Sequence, residues 1–239
     1  LIPGKFNSLA IYAYVGIAKS TIPTVTPSGI ISLAIFNISS LTLEEKDILR
    51  TLSLIGKSKI STIAFGNWYD LEDYDSINDL IEKGWIEWDR KNDMISLHHI
   101  ISDLSYEELK PTGENCEEFI SSITRYITKN DWKTYYSKSK ALAFGEIIAK
   151  RLKGEKKSTG EFFEALGFKA GTEKAQEYLI KAVEIYRKIY GEGSIKEGQI
   201  YLKLAALQRD MVFYVDENEI NKLWLIMQKY HKKYPRCWL

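Results

Sequence analysis

Residues 41–97 constrain this chain most, because their hydrophobic period switches once from helical to alternating, with turn residues at each break. Thr42 stands ahead of Glu44 and Glu45, a capping-box arrangement in which a hydroxyl and a following carboxylate satisfy the orphan amides of a helix start. Leu41, Ile48, Leu49, Leu52 and Ile55 follow at helical spacing, and Gly56 stops the run. A short helix is expected over residues 60–68. Another is expected over 73–83, with Ile77, Leu80 and Ile81 as its apolar face and Gly84 as its stop. The period then becomes two. Trp85-Ile86-Glu87-Trp88 and Met94-Ile95-Ser96-Leu97 flank a polar turn at 89–93, the pattern of a hairpin.

Three short helices followed by a two-stranded wing is the order of a winged-helix domain, assigned to residues 41–110 within a mainly α chain. Leu97-His98-His99-Ile100-Ile101 leads into a further short helix that ends before Pro111. Residues 1–40 hold two apolar runs (11–17 and 30–36) around a Thr/Pro/Ser-rich stretch and stay unassigned.

Residues 114–239 read as a helical array. Phe119, Ile120, Ile123 and Ile127 mark one helix, residues 132–152 a longer one, and the basic, Gly-containing stretch 153–160 a link. Ala175, Leu179 and Ala182 have the small/large/small spacing of the second helix of a tetratricopeptide repeat, and Tyr201, Leu204, Ala205 and Gln208 match the first helix of the next. On that register the units begin at Lys156 and Gly198, 42 residues apart against about 34 for the common repeat. The extra length falls at Tyr190-Gly191-Glu192-Gly193-Ser194. A last unit is eroded, with Val212, Glu217 and Trp224 where small residues belong. Amphipathic helices with incidental alanines are the competing reading.

Charge is split along the chain. Residues 1–117 carry 10 Lys+Arg against 17 Asp+Glu, a net of −7, and residues 118–239 carry 23 against 15, a net of +8. Two domains with different surfaces follow from that asymmetry. Cys116 and Cys237 are too far apart in sequence to suggest a disulfide framework or a Cys-based zinc site. No apolar run reaches the roughly 18 residues of a membrane span. With no basic leader at Leu1, the sequence reads as a cytoplasmic protein and as a fragment of a longer frame.

The stretch 43–55 (Leu-Glu-Glu-Lys-Asp-Ile-Leu-Arg-Thr-Leu-Ser-Leu-Ile) resembles the opening helix of the winged-helix domain in STAND signal-transduction ATPases of the NB-ARC type. Leu80-Ile81-Glu82-Lys83-Gly84-Trp85-Ile86 is similar to the helix and first wing strand of that domain. Ile95-Ser96-Leu97-His98-His99-Ile100-Ile101 resembles its sensor motif, commonly Met-His-Asp, or Leu-His-Pro in bacterial members. Bacterial members often continue into tetratricopeptide repeats. The resemblance covers residues 40–110 well and 160–210 moderately.

The resemblance implies a nucleotide-dependent switch in which a sensor histidine, here His98, touches the β-phosphate of ADP and locks a closed state. An imidazole N–H suits that contact. His99 departs from the third residue of both motif forms. The competing reading of His98 is a histidine that caps backbone groups at a strand-to-helix junction. A P-loop needs Gly-x-x-x-x-Gly-Lys-Ser/Thr, and in the nearest string, Gly16-Ile17-Ala18-Lys19-Ser20-Thr21, Ala18 replaces the second glycine. The chain therefore reads as a regulatory and interaction portion, not an enzyme. It carries no cofactor of its own, ADP/ATP being implied for a full-length protein, and the repeats would meet a protein partner.

The rival is a winged-helix transcription regulator with a helical effector domain. Against it, Asp70, Glu72, Asp73, Asp75, Asp79 and Glu82 occupy the recognition-helix region without a Lys or Arg between residues 67 and 82. Two basic clusters, Lys150, Arg151, Lys153, Lys156 and Lys157, then Lys229, Lys232, Lys233 and Arg236, read as solvated helix faces. His98, His99, His231 and Cys116 lack metal-ligand spacing. No Gly-x-Ser-x-Gly or ordered triad stands out. Trp85 and Trp88, alternating with Ile86, read as a partly buried strand.

Overall fold

A computed structural model describes residues 37–128, 135–170, 172–210 and 228. The chain divides after Pro111 into two compact units. Among the described residues there are nine α-helices and one three-stranded sheet, a mainly α architecture in keeping with the sequence pattern. None of those helices is long and apolar enough to cross a membrane.

The first unit runs α1 (Leu43–Ile55), β1 (Ile60–Ser61), α2 (Thr62–Tyr69), α3 (Asp75–Glu82), β2 (Glu87–Asp89), β3 (Met94–Ser96) and α4 (His99–Leu109). The sheet is antiparallel in the order β1-β3-β2, with Ile95 of the central strand opposite Ile60 on one side and Trp88 on the other. Helix α1 starts as its sequence dictates. The Glu45 amide donates to Thr42 Oγ1 at 3.2 Å and the Thr42 amide to Glu45 Oε2 at 2.8 Å. Gly56, at φ 70°, ends it. Ile48, Leu49, Leu52 and Ile55 are buried at its inner face.

Three boundaries differ from the sequence pattern, each for a physical reason. The helix expected over 60–68 gives up Ile60 and Ser61 to β1. Ile60 is fully buried, and the Thr62 amide donates to the Asp93 carbonyl at 3.1 Å, so the helix start is tied to the hairpin turn. Helix α3 begins at Asp75 because the Asp73 carboxylate takes the Asp75 amide at 3.0 Å and holds the preceding turn. The wing strand begins at Glu87. The Trp85 and Ile86 amides both turn back to the Leu80 carbonyl, at 2.8 and 3.3 Å, and are spent on the end of α3. Trp85 is buried there, whereas Trp88 is 40% exposed, so only one of the two tryptophans belongs to the core.

In the second unit α5 (Glu117–Thr128), α6 (Tyr135–Ile148), α7 (Lys157–Lys169), α8 (Thr172–Tyr190) and α9 (Ile195–Asp210) follow one another. The long helix expected over 132–152 ends at Ile148, and its start lies outside the described residues. The stretch read as a link, 153–160, is shorter than expected. Ser158, Thr159 and Gly160 are buried first-turn residues of α7.

Gly160 is there for space. A Cβ at that position would lie 2.6 Å from Cε1 of Tyr186, a fully buried ring on α8. At Gly167, one heptad on, a Cβ would lie 2.5 Å from Leu179 Cγ. Ala175, Leu179 and Ala182 are all fully buried on α8, which packs against α7 and α9. The stretch around residues 190–194 is the turn between α8 and α9. Val212, Glu217 and Trp224 lie outside the described residues.

Glu45 joins two helices of the first unit. Its side chain is 1% exposed and accepts from Lys83, the residue that follows α3. Burial pushes the Glu45 carboxyl up, but the Lys83 hydrogen bond and the Thr42 amide together hold it below the usual glutamate value. A depressed carboxyl stabilises the fold above its unfolded pKa, and that contribution disappears as pH falls through the folded one. Glu45→Ala is expected to cost about 1–2 kcal/mol, the loss of a cap, measured by urea unfolding at pH 7. The deficit relative to wild type should shrink as pH falls below about 4.3, where the free carboxyl takes up its proton.

Candidate functional site

His98 lies where β3 hands the chain to α4. Ile95 and Leu97 are buried and fix the strand end, so His98 emerges half-buried at the N-cap of α4 with extended backbone, φ −58° and ψ 144°. Its Nδ1 accepts from the Ile100 amide at 3.4 Å, a long cap bond. That acceptor role puts the proton of the neutral ring on Nε2. The His99 ring is exposed, with its centroid 4.2 Å away at 43°. Burial, then charge on His99, hold His98 below the usual histidine range, while Glu87 on β2 pulls the other way.

The six acids of the 70–82 run are all exposed. Lys83, directly after them, donates to Glu45 while its charge also acts on Asp79, so the run itself holds the acids and Lys83 stands at its edge. Of the first basic cluster, Lys156 donates to Glu117 at 2.7 Å and Lys157 pairs with Glu161 at 3.5 Å, so part of its charge is neutralised locally. The second cluster, His231 and Cys237 lie outside the described residues, as does the Gly16–Thr21 string. Cys116 is buried in the second unit, whereas His98 and His99 belong to the first. Among the described residues no group of three or more His, Cys, Asp or Glu is placed to hold a metal ion.

Two polar clusters in the second unit escaped the sequence reading. Glu197, at 1% exposure, takes Arg187 Nε and the Gly193 amide, each at 2.6 Å, and its own amide donates to Ser194 Oγ at 3.3 Å. Arg187 Nη2 also donates to the Tyr201 hydroxyl at 2.9 Å. The Ser194-x-x-Glu197 spacing was the available signal, half of a capping box behind a Gly-rich loop, since the Glu197 carboxylate takes the Gly193 amide in place of that of Ser194. In the second cluster the Tyr186 hydroxyl donates to Glu164 at 2.6 Å and Lys196 approaches the same carboxylate at 3.3 Å. Burial, and then that bond, raise the Tyr186 phenol and keep it protonated. Both carboxylates hold α9 to the α7–α8 pair. Around them the unit exposes Phe168, Ile180, Ile189, Tyr190 and Ile195, with Lys203 over the Phe168 ring at 5.7 Å.

Comparison of the chain with protein-family models, curated proteins and solved structures returned no match.

Removing Glu197 takes a buried acceptor from the Gly193 amide and from Arg187 Nε. Glu197→Ala should cost about 1–3 kcal/mol in a denaturant melt. Lys157→Ala, which removes an exposed i,i+4 pair with Glu161, should cost less than about 0.5 kcal/mol.

Proposed function

We propose that this chain is the regulatory and protein-interaction portion of a STAND-type, nucleotide-dependent signalling switch, with a winged-helix domain in the first unit and a tetratricopeptide-like array in the second. The observation that carries the reading is the element order α1-β1-α2-α3-β2-β3 with β3 central in the sheet, continuing through Leu97-His98 directly into α4. That is the connectivity expected of a winged helix followed by a sensor motif. The buried Ala175, Leu179 and Ala182 and the glycine-mediated approach of α7 to α8 support repeat-like stacking. The exposed apolar side chains of the second unit offer a surface for a protein partner.

In this reading the chain is not itself an enzyme. A P-loop core supplies ADP and ATP binding, and His98 reports on the bound nucleotide in a cytoplasmic protein. The geometry suits the role. Nδ1 accepts the Ile100 amide, and in this reading the ring would meet a phosphate oxygen through Nε2–H, beside the positive end of α4. The acidic surface from Asp70 to Glu82 argues against the rival, a winged-helix transcription regulator, since it would repel a duplex.

The test joins the chain to a P-loop ATPase core and measures ADP affinity with and without His98→Ala. A lost charge-assisted bond of about 1.5–3 kcal/mol predicts a loss of about 10- to 100-fold. Unchanged affinity would leave His98 as a cap and remove the switch reading. Sub-micromolar, sequence-selective DNA binding by the chain alone would favour the regulator instead.

A further inference from the structure

The His98–His99 pair sits on the hydrogen bond that starts α4, and two histidines in ring contact at the positive end of a helix dipole form an arrangement that tolerates little added charge. We propose that this junction is an acid-sensitive release, in which protonation of His98 uncaps α4 and loosens its seat in the first unit. The inference is independent of any nucleotide and rests on the cap itself.

The chemistry is local. Neutral His98 accepts the Ile100 amide on Nδ1. A proton on Nδ1 turns that acceptor into a donor and sets N–H against N–H where the helix already presents unpaired amides. Among the charges that act on His98, His99 on α4 opposes protonation and Glu87 on β2 favours it. On α1, the helix packed against α4, Glu45 pairs with Lys83, Asp47 pairs with Arg50, Arg50 reaches the Leu109 carbonyl at the far end of α4, Lys46 donates to the Ser39 carbonyl and Glu44 is exposed to solvent. A histidine held below its ordinary value makes the unfolded segment the better proton binder. Stability of the first turn therefore falls as pH drops below about 6.5. What is released is the helix that buries Ile101, Ser102 and Ser105.

The experiment is amide hydrogen exchange on the full chain between pH 7.5 and 5, with protection factors corrected for intrinsic rate. Protection at Ile100–Asp103 should fall about 3- to 30-fold on acidification, the range a lost N-cap implies. In His98→Asn, which keeps a capping acceptor without a titrating group, protection there should stay constant over the same range. A pH-independent wild type, or an equal fall in His98→Asn, would overturn the proposal. Should the variant fail to fold, imidazole nitrogen NMR of the wild type decides. The proposal requires an Nε2–H tautomer at neutral pH and loss of the Nδ1 acceptor in the same window as the loss of protection, and an Nδ1–H tautomer would refute it.

Discussion

Helix α7 can lie against α8 only because two of its residues have no side chain. Gly160 sits under the Tyr186 ring and Gly167 under Leu179, seven residues apart on one helical face, and a Cβ at either would fall inside van der Waals contact. That closeness lets Ala175, Leu179 and Ala182 disappear completely into the interface. It also brings the Tyr186 hydroxyl within reach of Glu164, which in turn draws in Lys196 from α9. The position of the third helix depends on the spacing of the first two. Dispersion contacts of this density are lost quickly with separation, so the stack favours one register over a sliding set.

The first unit solves a different problem. It is small, and its sheet has strands of two and three residues, too short to be stable without helices packed against them. Cross-links at the ends of elements make up the difference. Glu45 ties the start of α1 to the residue after α3, the Leu80 carbonyl collects the two amides of Trp85 and Ile86 just before the wing, and the Asp93 carbonyl collects the start of α2. His98 belongs to the same set, since its ring begins α4 where β3 ends. In the switch proposed above, the sensing histidine would thus also be part of the unit's framework.

What the sequence revealed was local in cause. Thr42 with Glu45, the stop at Gly56 and the spacing of Ala175, Leu179 and Ala182 are all decided within a turn or two of helix, and each is visible by inspection. What it concealed depends on distant partners. Nothing near Ile60 announces that Ile95 will pair with it. Gly160 among lysines looks like a breaker, and only Tyr186 on another helix explains it. Lys83 gives no local hint of Glu45, and Ser194-x-x-Glu197 was masked by the glycines before it. At the candidate site, the strand-to-helix position of His98 was legible, but the cap made by Nδ1 and the contact with the His99 ring were not.

The close approach of α7 and α8 is tested most directly by a double-mutant cycle between Gly160 and Tyr186, read as unfolding free energy in urea. An alanine in a helix interior is ordinarily worth about 1 kcal/mol more than a glycine. Here Gly160→Ala should instead destabilise by about 1–3 kcal/mol, because overpacking against a buried ring outweighs propensity. In a Tyr186→Leu background, where the ring is gone and the smaller side chain can turn aside, the same substitution should cost at least about 1 kcal/mol less. A Gly160→Ala change that stabilises the chain, or acts equally in both backgrounds, would contradict the account.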